Sequence, residues 1–303
     1  MLKPSGSGGW TRLYPSLQIR KSKSLSAYGE LTKPRIVLLL DFTAVMAFLV
    51  AASTINIVRL VAVIVAGTLA SGGAGALNCY LYRDLDRTMG RTSRRPIPQG
   101  EVSPVHALVF GLTLFGAGIV ISALLLPLLA SVSILVGAAI YVIFYTKYLK
   151  SRTSLNIVLG GSAGSCAPLA GWAAATGQLS AVTPWLMALL VFVWTPSHFW
   201  ALAMRAVGDY SKAGIPMLPV LVGEARTARY IALNTFLLVP LSLMLVPLGG
   251  LGFLYLNCSG AWAWYDTGRS QTRVESNQGS GVDRFQILQP LPRHCILSDG
   301  DRR

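Results

Sequence analysis

Acidic residues are scarce in this chain: twelve Asp and Glu in 303 residues, against 26 Lys and Arg, with charged residues making up 13% in all. Hydrophobic residues make up 53%, and the mean hydropathy is +0.55. So few polar groups cannot solubilise a globule of this length, which excludes an ordinary soluble fold and points to lipid as the solvent. Cysteine is sparse too. Cys79, Cys166, Cys258 and Cys295 have neither metal-ligand spacing nor the pattern of a disulfide framework, and the two within apolar runs serve as small hydrophobes. Period-2 alternation is missing, which removes a transmembrane barrel. The net charge of +14 would suit nucleic acid, but the cations lie between apolar runs rather than on a polar fold, so nucleic acid is excluded as a partner.

What the chain does have is a series of apolar runs at 36–52, 57–80, 105–126, 128–146, 155–175, 182–204 and 231–256. Each is near the ~20 residues that a helix needs to cross a bilayer. Backbone groups in hydrocarbon must pair within their own segment, so these runs are predicted to be helices. The expected fold class is all-α, a polytopic transmembrane helix bundle of about seven helices. Its predicted organisation is a basic amino-terminal tail over 1–30, a transmembrane domain over 31–256 and a polar tail over 257–303. Seven cations precede the first run, five fall between Arg83 and Arg95, three between Lys147 and Arg152 and four between Arg205 and Arg229. The connections near Pro127 and Thr176 carry none. Positive residues stay inside, so the amino terminus and the loops after runs 2, 4 and 6 are expected in the cytoplasm of a cell-membrane protein, or in the matrix for a mitochondrial inner-membrane one. Residues 1–29 lack acids and would also suit a transit peptide; the juxtamembrane tail is favoured.

Three polar stretches fall on that one side. The first holds Asn78, Tyr82 and Asp86, spaced by four and hence on one helix face, with Asp84 directed elsewhere, followed by Arg83, Arg91 and Arg95. A carboxylate and an amide with arginines at a membrane boundary suit a diphosphate, which Mg²⁺ bridges to acids and arginine forks bind directly. The same residues are also compatible with surface ion pairs that mark topology. The second stretch runs from Tyr145 through Lys150 and Arg152 to Asn156 and Gly160; its cations suit either a diphosphate or lipid headgroups. Small residues from Gly160 to Gly171 are suited to close helix packing. The third holds Trp194, His198 and Trp200 inside a span, then Asp209. Aromatic walls suit a porphyrin or an allylic cation, and a histidine there suits a cavity or an interhelical hydrogen bond. Asp209 is placed either to bind a second Mg²⁺ or to pair with Arg205. Asp41, within the first run, is expected to face a cavity or be protonated and is assigned no role.

Taken in order, Thr32–Arg35, Asn78–Asp86 with Arg91-Thr92 and Arg95-Pro96, Tyr145–Lys150, Asn156–Gly161, Gly171-Trp172, Trp194–Ala203 and Asp209–Pro219 resemble the protoheme IX farnesyltransferases of the UbiA prenyltransferase superfamily, from Leu31 to Leu254. The resemblance implies a nine-helix bundle around a cavity near the cytoplasmic or matrix face. It implies transfer of farnesyl from farnesyl diphosphate to the 2-vinyl group of heme b, giving heme o, with Mg²⁺ as cofactor and a downstream heme a synthase as a candidate partner. On that footing Asn78, Asp86 and Asp209 hold diphosphate through Mg²⁺, with Asp84 as a further ligand. Arg83, Arg91, Arg95, Lys150 and Arg152 neutralise it beside Tyr145 and Asn156, and Trp194, His198 and Trp200 line the heme or cation pocket. Tyr82 stands where the family usually has an acid, Ser197 and Ala167 replace usual prolines, and Ala213 replaces an acid found in many relatives. The last two helices of the family are expected to be missing, residues 258–303 reading as a frameshifted or truncated end. The alternatives are a prenyltransferase of a quinone precursor and an inactive family remnant.

Overall fold

Prolines and capping side chains mark where the apolar runs become helices. The computed structural model describes residues 24–249, and among these the secondary structure is helical throughout. A short helix, α1 (Ser24–Leu31), leads to α2 (Pro34–Ala51), whose first turn takes Pro34, a position where the missing N–H costs nothing. The Asn56 side chain accepts the Arg59 N–H at 3.1 Å to start α3 (Ile57–Leu81), and Ser103 accepts that of His106 at 3.2 Å ahead of Pro104 in α5 (Pro104–Leu125). Between them lies the four-residue α4 (Arg83–Asp86). Next, α6 (Leu128–Ala139) runs on into a π-helix, Ile140–Leu149. The chain continues as α7 (Asn156–Gly160), α8 (Ser162–Thr176), which Gly177 ends at φ 77°, and α9 (Val182–Met204). The short α10 (Val207–Lys212) and α11 (Leu218–Val222) precede α12 (Glu224–Leu243).

Six of these stretches are long and apolar enough to span a bilayer: α2, α3, α5, α6 with its π-helix, α7 with α8, and α9. The seventh run differs from expectation. Its helix begins at Glu224 rather than near 231, carries Arg226 and Arg229 in its first turns and ends at Leu243, followed by turns to Gly249. The predicted tail over 257–303, including the expected loss of two helices, lies outside the described residues, as does most of the 1–30 tail.

Small residues set the packing. A Cβ on Gly73 of α3 would sit 2.5 Å from the Phe115 backbone nitrogen, and one on Gly118 of α5 would sit 2.6 Å from that of Ala70, so these two helices touch backbone to backbone. The Gly160–Gly171 stretch serves the same purpose: a Cβ on Gly171 would collide with the Ala44 carbonyl of α2. One apolar core, around Phe48, Ala66, Ala130 and Ala173, fills the end of the bundle away from the polar loops. A second, of Met89, Ile157, Ala203, Ile215 and Met217 with Trp200 and Tyr210 against it, ties together the loops at the other end. The exterior is apolar, with Leu38 71% and Leu128 77% exposed, as a lipid-facing surface requires.

Candidate functional site

The hydrogen-bond ladder survives the end of α3. The Tyr82 N–H donates to Asn78 O at 3.1 Å and the Asp86 N–H to Tyr82 O at 2.7 Å, so i, i+4 spacing continues into α4. Asn78, Tyr82 and Asp86 are consequently all buried on the inner side. Asp84 is 71% exposed and pairs with Arg83 (3.6 Å) and Arg87 (3.8 Å) at the surface.

Asn78 anchors the first part of the site. Its amide nitrogen donates to Thr146 Oγ1 at 2.9 Å, and its oxygen accepts from the ammonium of Lys33. Lys33 also donates to Tyr141 OH at 2.9 Å. Sequence reasoning left Lys33 out of the site. Its backbone lies at φ 57°, a left-handed conformation rare for a side chain of this size, and it sits between α1 and Pro34. The hints in the sequence are a lysine immediately before the proline that opens the first span and its place in the Thr32–Arg35 stretch. The π-helix makes its own contribution, because Thr146 O–H donates to Tyr141 O, five residues back, at 2.7 Å.

Asp86 anchors the second part. Its carboxylate accepts from Arg95 Nη1 at 2.6 Å, and its backbone carbonyl accepts from the Thr92 hydroxyl at 3.0 Å. Lys150 places its Nζ 3.8 Å from the centre of the Tyr82 ring. Burial first, then the charges of Lys33, Arg95 and Arg91, push the Lys150 ammonium down to about 7, with Asp86 acting the other way. Burial also raises the Tyr82 phenol, opposed by a hydrogen bond with Ser151. Asn156 is fully buried and donates to the Lys150 carbonyl at 3.0 Å, while its side-chain oxygen has no partner.

Asp209 clamps the two loops together rather than pairing with Arg205: its carboxylate accepts the Gly90 N–H at 3.3 Å and the Arg91 N–H at 3.1 Å. Asp84, Asp86 and Asp209, expected to share metal ions, therefore each have partners of their own. Among the described residues no three Asp, Glu, His or Cys side chains form a metal-binding group. Arg83 turns to the Tyr80 carbonyl (3.0 Å) and lies over its ring, and Arg152 lies over the Tyr148 ring. Tyr145 stacks on Tyr141 at 5.8 Å and presses on Gly160.

In α9 the Trp194 and His198 rings are stacked at 4.5 Å and 18°, both on an exposed face, and Phe199 meets His198 edge-on. Trp200 packs instead against the loop core, with its indole N–H buried and without a partner, and lines a recess with Tyr230 and Leu237. Ser197 accepts a hydrogen bond from Asn234 of α12 at 2.6 Å. Asp41 accepts one from Thr68 at 2.6 Å, which gives this membrane carboxyl a partner on α3.

The UbiA prenyltransferase family matches residues 39–280. A protein of Gloeobacter violaceus named protoheme IX farnesyltransferase is 45% identical over 243 residues, 80% of this chain and 79% of that one. One of Cenarchaeum symbiosum, protoheme IX farnesyltransferase 1, is 46% identical over 233 residues, 75% and 78% of the two chains. Among solved structures, a UbiA homolog from Archaeoglobus fulgidus described as bound to DMAPP and Mg²⁺ superimposes with a TM-score of 0.70 at 16% identity, covering 84% of this chain and 88% of that one. The apo UbiA homolog from Aeropyrum pernix K1 gives 0.66 at 22% identity, covering 76% and 85%.

Proposed function

Because the chain belongs to the UbiA prenyltransferase family, we propose that it transfers a farnesyl group from farnesyl diphosphate to the 2-vinyl group of heme b, giving heme o. Likeness over most of the chain to the protoheme IX farnesyltransferases carries this reading. The buried polar cluster at the loop end of the bundle supports its diphosphate half. The protein is an integral, multi-pass membrane enzyme; on the positive-inside pattern its amino terminus and this cluster face the cytoplasm, or the matrix in a mitochondrion.

In the reaction, the bond between farnesyl C1 and the diphosphate oxygen breaks, both electrons leaving on diphosphate. The vinyl group closes a carbon–carbon bond onto the allylic cation. The new cation beside the porphyrin takes the oxygen of water, which then loses a proton, leaving a hydroxyethylfarnesyl side chain. The protein's part is positioning and charge neutralisation. Arg95, Arg91, Lys150 and Lys33 receive the leaving charge, while Asn78 and Thr146 orient Lys33. Asp209 holds the two loops together over them. Trp194, His198 and Trp200 remain the aromatic groups proposed for the heme or cation side. Arg152, engaged by a tyrosine at the surface, and Arg83, turned to the Tyr80 carbonyl, are secondary.

Magnesium riding with the diphosphate would supply further neutralisation. Asp86, buried in the cluster and paired with Arg95, is the carboxylate that would hold it there, since Mg²⁺ on a phosphate needs only one or two acids. The test is expression in membranes of a host that lacks heme o synthase, followed by chromatography and mass analysis of extracted hemes. Appearance of the hydroxyethylfarnesyl heme is expected; its absence, with the chain folded in the membrane, refutes the assignment.

A further inference from the structure

One side of α9 carries a polar group that neither the buried cluster nor the Trp194–His198 face uses. Trp200 lies one turn before the helix ends at Met204, and its indole N–H is buried without a partner. Side chains two apart on a helix point about 200° from one another, so Trp200 and His198 look to opposite sides of α9. On the Trp200 side, α9 and α12 leave a recess of about 300 Å³ lined by Trp200, Tyr230, Leu233, Asn234 and Leu237. Asn234 ties the two helices together there, its amide donating to the Val193 carbonyl and the Ser197 hydroxyl, both at 2.6 Å. Tyr230, Leu233 and Leu237 are exposed, as side chains turned to lipid are.

Arg226 completes the pattern. With Tyr230, Leu233 and Leu237 it falls at i, i+4, i+7 and i+11 of α12, one continuous stripe, and it is exposed at the polar-loop end with Arg229 three residues on. Glu224, two residues before Arg226, points to the other side of the helix. The stripe covers about 16 Å of helix, about half the ~30 Å thickness of a hydrocarbon core, so it runs down one leaflet. Charge gives way to aromatic hydrogen-bond donors and then to leucine. A glycerophospholipid has the matching order of phosphate, ester carbonyls and acyl chain. An ester carbonyl at this depth also satisfies the indole N–H, which is costly to leave unpaired.

We propose that the recess between α9 and α12 binds one anionic glycerophospholipid from the leaflet on the polar-loop side. Its phosphate meets Arg226, an ester carbonyl accepts from the Trp200 N–H beside Tyr230, and an acyl chain lies along Leu233 and Leu237. Because the ring of Trp200 also packs against the loop core of Met89, Ile215 and Met217, an occupied recess braces the loops over the buried cluster.

In the experiment the full chain in detergent receives phosphatidylglycerol or phosphatidylethanolamine of matched acyl chains, and retained lipid is counted by native mass spectrometry. The native chain is expected to retain phosphatidylglycerol about fivefold more strongly, the weight of one cation beside an anionic headgroup. Arg226→Gln should erase that preference, whereas Arg94→Gln, at an exposed cation of the loop before α5, should keep it. Leu233→Trp fills the recess from an exposed position that the fold tolerates and should abolish retention of both lipids. Trp200→Phe should weaken both about two- to tenfold. Equal retention of the two lipids by the native chain, or retention unchanged by Leu233→Trp, overturns the proposal. A loss on Arg94→Gln equal to that on Arg226→Gln also overturns it, by reducing the effect to general attraction between anionic lipid and a basic surface. Displacement of phosphatidylglycerol by inorganic phosphate, or by farnesyl S-thiolodiphosphate with Mg²⁺, overturns it by giving the recess to a free anion or to the prenyl substrate, and leaves the prenyl-transfer reading standing.

Discussion

Replacing Lys150 by Met should stabilise the ligand-free protein at neutral pH, although it removes a group used for binding. The ammonium is pushed from the ordinary lysine range near 10.5 down to about 7 by burial and by the cations around it. At 1.36 kcal/mol per pH unit, that depression has an upper bound of about 5 kcal/mol. Partial access to solvent halves it, and losing the contact with the Tyr82 ring takes back up to about 2 kcal/mol. A net gain of about 1 kcal/mol remains. The sign follows from linkage: the unfolded chain holds this proton more tightly than the folded one, so the penalty is complete below pH 7. It fades towards zero near pH 10.5. The advantage of the variant should therefore be largest at pH 6.5 and be nearly gone at pH 9.5, where the folded chain holds Lys150 as a neutral amine. Unfolding in detergent, followed by tryptophan fluorescence at the two pH values, measures it. An equal loss of stability at both would refute the reasoning and make Lys150 an ordinary paired cation.

Arg95→Ala should cost about 3–5 kcal/mol in the same assay, because it strands the Asp86 carboxylate, only 2% exposed, without its closest partner. By contrast, Arg83→Ala and Arg152→Ala, whose side chains lie on the rings of Tyr80 and Tyr148, should leave heme o formation within about threefold of the native rate. Asp209→Ala removes a charged acceptor from the Gly90 and Arg91 amides and should lower heme o formation while exposing the 87–92 loop to protease, with bundle unfolding shifted by no more than about 3 kcal/mol. Gly171→Ala places a methyl against the Ala44 carbonyl, which backbone rather than a side chain must accommodate; destabilisation of at least about 1–3 kcal/mol is expected, and none would deny the close approach of α2 and α8.

What the sequence made legible follows from how local each feature is. Apolar length located the spans, and spacing by four located the face of Asn78, Tyr82 and Asp86, because both depend on neighbours within a few residues and the ladder across the end of α3 is unbroken. The same spacing turned Asp84 outward. The seventh helix was misjudged at its start because Arg226 and Arg229 break the apolar run without breaking the helix. The contacts that make a site of these residues are not local. Lys33 reaches Asn78 across 45 residues and Tyr141 across 108, and Asp209 reaches the Gly90 and Arg91 amides across 119 and 118. No periodicity carries such information, and for Asp209 the chemistry of the side chain misleads, since a carboxylate near arginines suggests a metal or an ion pair before it suggests a loop clamp. Thr146 was hidden for another reason: the π-helix adds a residue per turn, so a pattern read at 3.6 misplaces the face on which its hydroxyl lies. The cationic excess was visible in the composition from the start, as 26 basic residues to twelve acids. Topology alone accounts for cations that stay at the surface, such as Arg87 and Arg152. It does not account for Lys33, Lys150 and Arg95 withdrawn from solvent around a single carboxylate. That difference in burial separates cations that orient the protein in its membrane from cations poised to receive an anion.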